Sequence, residues 1–141
     1  MESNIIKNYV KNVKNIKAAV SVHSYGSVLI YPWGYRHDQH PSRAKLSQLA
    51  RSISSDVRRE HGVTYTPGTA KEVFGLWGLA GGATDDWYIT QDIEYSYTFE
   101  LPEDDEDGDH GFLLPAKNII KVGKQLQVAF TTMARHLADN K

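Results

Sequence analysis

Apolar residues recur at Ile5, Ile6, Tyr9, Val10 and Val13 with lysines and asparagines between them. That is the spacing of an amphipathic helix. The period then shortens. Ala18 to His23 reads as a short, mostly apolar strand, and Ser27 to Tyr31 (SVLIY) is a second run too apolar to have one wet face. It predicts a buried central strand. Pro41-Ser42 opens a second helix whose core stripe is Leu46, Leu49, Ala50, Ile53 and Val57.

Glycines at 62, 68, 75, 78, 81 and 82 punctuate the next stretch, so 62–83 reads largely as loop. Thr84-Asp85-Asp86 supplies a cap and first-turn acids for a short helical turn through Trp87. In IEYSYTFEL, residues 93–101, Ile93, Tyr95, Tyr97 and Phe99 alternate onto one face. Glu94, Ser96, Thr98 and Glu100 take the other. An acidic loop follows, and then a long helix from about Ala116, with Ile119, Ile120, Val122, Leu126, Phe130, Met133 and Leu137 expected to face inward. Helix, strand, strand, helix, loop, strand, helix is an α/β pattern, with the sheet covered by helices.

Composition narrows the chemistry. The 141 residues carry a formal charge of −1 and no cysteine. The charge balance does not call for nucleic acid or an anionic membrane, and no apolar run approaches the ~20 residues of a membrane span. Disulfides, thiolate metal sites and thiol nucleophiles are excluded. The first fifteen residues lack the apolar core of a signal peptide, so the chain as written is expected to stay in the cytosol.

Four side chains stand where chemistry is done. His23 ends a strand and delivers an imidazole to the sheet edge, although a strand-end histidine is more often a hydrogen-bonded structural residue. Glu100 is late in a central strand, where a carboxylate is costly to bury unless it is paired or used. It reads either as a partly exposed strand-end acid or as a general base. Asp85 and Asp86 serve as first-turn acids, or one of them faces a pocket and binds a cation. Two other clusters read as structural. His37 and His40 lie in a polar loop without a third ligand. EDDEDGD, residues 103–109, has Leu114 where a calcium loop needs its bidentate glutamate, and is taken as a solvated acidic turn.

Taken together, HSYGSVLIYPWGY, AGGATDDW and YSYTFEL followed by GFLLPAKNII resemble the zinc metallocarboxypeptidases of the carboxypeptidase A/B family, in the family's order. The resemblance runs over residues 1–141 and implies the C-terminal half of the catalytic domain, half of a mixed β-sheet flanked by helices. It implies His23 as one zinc ligand and Glu100 as the carboxylate that promotes attack by water on the C-terminal peptide bond. It implies Tyr25 and Phe112 as an aromatic wall of a substrate subsite. Asp85 falls at the base of the pocket for the C-terminal side chain, which implies a preference for basic residues.

The departures matter as much. The family's other two zinc ligands come from an H-x-x-E motif, and none of the six histidines is followed three residues later by glutamate. The mobile tyrosine before the family's GG is absent, with Phe74 or Trp77 in its neighbourhood. The turn after Glu100 is longer and more acidic than usual. The expectation is therefore a partial catalytic domain with Zn2+ held by one ligand of this chain. It would act on peptide or protein C-termini, be inactive alone, and be partnered by a missing N-terminal half. Met1 falling inside a family helix points the same way. Secretion is implied only by the resemblance. The alternative is a non-catalytic protein that binds peptide C-termini or a carboxypeptidase inhibitor.

Overall fold

Parallel and antiparallel pairing joins the apolar runs into one mixed sheet. The computed structural model of the chain describes residues 2–75 and 79–140. In chain order its elements are α1 (Glu2–Asn12), β1 (Ala18–Ser24), β2 (Val28–Ile30), α2 (Arg43–His61), β3 (Thr66–Gly68), α3 (Ala70–Phe74), α4 (Thr84–Ile89), β4 (Tyr95–Leu101), the short β5 (Asp104–Asp105) and β6 (Gly108–Asp109), and α5 (Ile119–Asp139). The main sheet runs β1-β4-β2-β3. β4 lies parallel to β1 and antiparallel to β2, and β2 lies parallel to β3. This is the expected α/β class.

The alternation of β4 sorts its side chains between two unlike faces. Tyr95, Tyr97 and Phe99 join Leu29 and Tyr31 in the main core, closed by Leu46, Leu49, Ala50, Ile53 and Val57 of α2 and by Ala129 and Met133 of α5. Every expected core residue of α2 is fully buried. The helix stops at Gly62, whose left-handed φ of 73° lets its N–H reach the Arg58 carbonyl. The phenol of Tyr97 is buried with the rest of its ring, and it donates to the Leu46 carbonyl at 2.9 Å. A polar tip in the core is thereby satisfied. On the opposite face Val28 and Ile30 pack with Ala70 of α3, beside the buried hydroxyls of Ser96 and Thr98.

Four expectations need correction. Residues 62–83 are not all loop, because they contain β3 and α3. Thr69 and Glu72 form a reciprocal capping box that starts α3, a T-x-x-E signature available in the sequence. α1 forms, but none of its residues is buried, and Ile5, Ile6 and Tyr9 are exposed. Amphipathicity marks the side a helix would bury, and among the described residues nothing covers it. In α5, Ile119, Ile120 and Phe130 are exposed while Gln125 and Ala129 are buried. Close approach to α2 selects the small residue, and Gln125 goes inward because it accepts from the Tyr65 hydroxyl at 3.1 Å.

The fourth correction concerns the acidic turn, which is not simply solvated. β5 and β6 pair as a hairpin, and the Asp105 side chain is only 1% exposed. Its Oδ1 accepts from the Asp107 N–H at 2.8 Å and contacts His110 Nε2 at 2.9 Å. Its Oδ2 accepts from Asn118 Nδ2 at 2.8 Å, with Lys117 Nζ at 3.4 Å. These donors hold its carboxyl well below the ordinary aspartate range, Asn118 contributing most. The turn is stapled to the entry of α5.

Candidate functional site

The second face of the sheet holds the chemistry. β1 and β4 run parallel, so the partners His23 and Glu100 reach the same end of the sheet side by side. Val28 of β2 sits across from Glu100 on its other flank. Crevices at the carboxyl ends of strands are the usual binding places in open α/β sheets. Here a cavity of about 400 Å³ is lined by His23 and Glu100 from the strand ends, by Thr98 from β4, and by Asp85 and Thr84 from α4. Ile30, Gly34, Ala70, Phe74 and the small residues Ala80, Gly82 and Ala83 complete its wall. A larger cleft of about 650 Å³ lies elsewhere, along Val13 to Lys17 and the loop before β4, and includes none of these acids.

Asp85 is the most buried carboxylate of the cavity, at 1% exposed. Thr98 Oγ1 donates to its Oδ1 at 3.1 Å, and Ser96 Oγ donates to its backbone carbonyl at 2.8 Å. Its Oδ2 is buried without a hydrogen-bond partner among the described residues. Burial, reinforced by the charge of neighbouring Asp86, pushes the Asp85 carboxyl up to about 6. An acid in this condition gains strongly from a cation and is destabilised without one.

Glu100 repeats the theme less severely. Its Oε2 is also buried and unpartnered, and burial raises its carboxyl above the ordinary range, with His23 opposing the rise.

Not every candidate meets in this cavity. Tyr25 and Phe112 pack edge to face with centroids 4.6 Å apart, both exposed and outside the cavity lining. Phe74 does line it, while Trp77 lies outside the described residues. His40 packs edge to face with Trp33, their centroids 4.7 Å apart, and accepts from the Ser42 N–H, whereas His37 contacts Lys71 Nζ. The two histidines do not form a metal site.

Sequence reading missed three residues of the site. Thr98 and Ser96 hold Asp85, and their signal was the polar i, i+2, i+4 face of β4 leading to Glu100. Gly34 had no such signal. Its N–H donates to both carboxylate oxygens of Asp86, at 2.9 and 3.1 Å, and the Tyr35 N–H adds a bond at 3.1 Å.

A catalytic zinc typically takes three protein ligands, and no group of three histidine, aspartate or glutamate residues converges among the described residues. The residues present supply one imidazole beside one carboxylate. They do not by themselves make a zinc site.

The comparisons fit this arrangement. Residues 1–129 match the zinc carboxypeptidase family. The chain is 38% identical over 136 residues to carboxypeptidase A1 of Rattus norvegicus, covering 96% of this chain and 31% of that protein. It is 32% identical over 140 residues to carboxypeptidase B of Canis lupus familiaris, covering 99% and 32%. The crystal structure of thrombin-activatable fibrinolysis inhibitor superposes with a TM-score of 0.88 at 32% identity, over 99% of this chain and 34% of that one. The chain thus spans about a third of the length of the curated relatives it matches. With family-wide coverage, the same sheet in solved relatives and a strand-end histidine beside a glutamate, the chain belongs to the zinc carboxypeptidase family.

Proposed function

We propose that residues 1–141 are part of a carboxypeptidase catalytic domain whose cavity receives the basic C-terminal side chain of a peptide. The observation that carries this reading is the buried, unpartnered Oδ2 of Asp85. A lysine or arginine side chain entering the cavity would supply the missing cation. An apolar side chain would leave the acid buried and uncompensated.

His23 would be one ligand of a zinc ion, and further ligands would have to come from outside these residues. When bound, such a metal supplies Lewis-acid polarisation of a carbonyl. Glu100 would accept a proton from water within the cavity, and burial raises its carboxyl in the direction that a stronger base requires. Tyr25 and Phe112 would form an aromatic wall for the residues preceding the scissile bond. The family-typical site for this chemistry, with hydrolysis of C-terminal amino acids in an extracellular setting, is the parent activity.

A second reading is favoured by the lack of three converging ligands among the described residues. In it, the chain binds peptide C-termini, or an inhibitor that mimics one, without hydrolysing them. One experiment addresses both readings. Calorimetric titration of this chain uses two peptides that differ only in ending with arginine or leucine, with and without zinc, and mass spectrometry follows cleavage. The arginine peptide should bind about a hundredfold tighter, the scale of a buried charge left unpaired by the competitor, and Asp85→Asn should remove the difference. Equal affinities would sink the proposal. Cleavage by this chain with zinc would eliminate the non-catalytic reading.

A further inference from the structure

We infer that Asp86 is a positioning residue: by gripping the Gly34 and Tyr35 amides it locks α4 to the turn after β2 and so aims Asp85 into the cavity. This rests on the recognition role given to Asp85 above, but its geometry stands apart from it.

The carboxylates of two adjacent residues diverge. Asp85 faces Thr98 and the cavity, whereas Asp86 faces the backbone of residues 34–35. Asp86 is buried and accepts three N–H contacts from that turn. A helix of six residues has little intrinsic stability, and Ala83 at its N-cap provides no side-chain cap. Its orientation must therefore come from outside, and the Asp86 clasp is the strongest set of charge-assisted bonds it makes.

Gly34 completes the clasp. A Cβ there would stand 3.3 Å from Asp86 Oδ2 and 3.4 Å from the Ala80 carbonyl oxygen. The Gly34 carbonyl accepts from the Ala80 N–H at 3.0 Å. One glycine thus ties together α4, the turn after β2 and the segment of small residues that walls the cavity.

The wild-type chain allows a first test, by NMR. Burial raises the Asp86 carboxyl above its ordinary value, the Gly34 and Tyr35 amides and the His40 charge opposing the rise. The Gly34 and Tyr35 amide protons should shift with the midpoint of the Asp86 Cγ signal, since protonation removes the charge they donate to. If neither follows that carboxyl, the clasp is absent and the inference falls.

In Asp86→Asn, the Asp85 Cγ midpoint should drop, because the neighbouring charge that helps raise it is gone. Asp85 also shares its cavity with His23 and Glu100, which the substitution leaves in place. Affinity for a peptide ending in arginine should fall about tenfold, the scale of a misplaced binding group. An unchanged affinity, with Asp85 still against Thr98, would overturn the positioning role whatever the midpoint does, because loss of the neighbouring charge lowers that midpoint by itself. If wild-type chain binds no such peptide, the recognition reading fails, while retention or loss of the Asp85–Thr98 contact in Asp86→Asn, read by nuclear Overhauser effects, still decides the inference. Should Asp86→Asn not fold, Gly34→Ala, whose Cβ would crowd Asp86 Oδ2, takes its place with the same readout.

Discussion

Asp85→Asn should make this chain more stable at neutral pH. Asp85 carries one hydrogen bond on Oδ1 and none on its buried Oδ2, and its carboxyl is raised from 3.8 to about 6. The folded state therefore holds the proton more tightly than the unfolded state does. Stability is greatest below 3.8, falls as pH rises through the interval up to about 6, and levels off above it. At ~1.4 kcal/mol per pH unit, the charged carboxylate costs the fold about 3 kcal/mol at pH 7.5. Asparagine is neutral throughout, keeps an acceptor for Thr98 and leaves one polar group unpartnered, much as the protonated acid does.

Urea denaturation followed by tryptophan fluorescence reads this directly. The variant should gain ~2–3 kcal/mol at pH 7.5, a midpoint shift on the order of 1 M, and the two proteins should converge near pH ~3.5, below the ordinary aspartate value. A variant equal to or less stable than wild type at neutral pH, with no convergence in acid, would refute the claim that Oδ2 is an uncompensated buried charge. The same substitution should then weaken binding of arginine-ended peptides. Under the proposed recognition role, stability and binding would pull against each other at this residue.

Two further outcomes follow from the packing. Gly68→Ala should destabilise by ~1–3 kcal/mol, lowering the melting temperature by several degrees, because its Cβ would sit 2.9 Å from Val73 Cγ1 and 3.1 Å from Glu72 Cβ; an unchanged melt would mean that α3 moves freely. Asp105→Ala should speed amide exchange at Asp107 and His110 several-fold at pH 7, since it removes the acceptor that joins the hairpin to Asn118. The depressed carboxyl of Asp105 means that its contribution is fully present above the ordinary aspartate range and is lost only well below it; exchange indifferent to the substitution would return the turn to the solvated state.

Much of this protein is local, and local information is what a sequence carries. The α2 stripe from Leu46 to Val57 and the alternation of Tyr95, Tyr97 and Phe99 are periodicities, and a period names the face that will be buried. Glu100 and His23 were visible as polar groups at the ends of apolar strands, and Asp85 as an acid opening a helix. Their proximity was not visible in the local pattern and came only from the family resemblance. It depends on β1 and β4 pairing in parallel across seventy intervening residues, a register that hydrophobic burial on the far face sets.

Other features belong to tertiary structure alone. Local pattern does not distinguish Asp85 from Asp86, and only the family resemblance singled out Asp85; adjacent side chains on a helix point in different directions. One enters a cavity and lacks a partner, while the other finds two backbone amides of a distant turn. The inward turn of Gln125 required the Tyr65 hydroxyl to be there. The exposure of α1 and of Ile119 and Ile120 required knowing that nothing among the described residues covers them. Periodicity determines which side of an element seeks burial. Only the packed chain decides whether a partner arrives, and whether a buried polar atom is satisfied or left for a ligand.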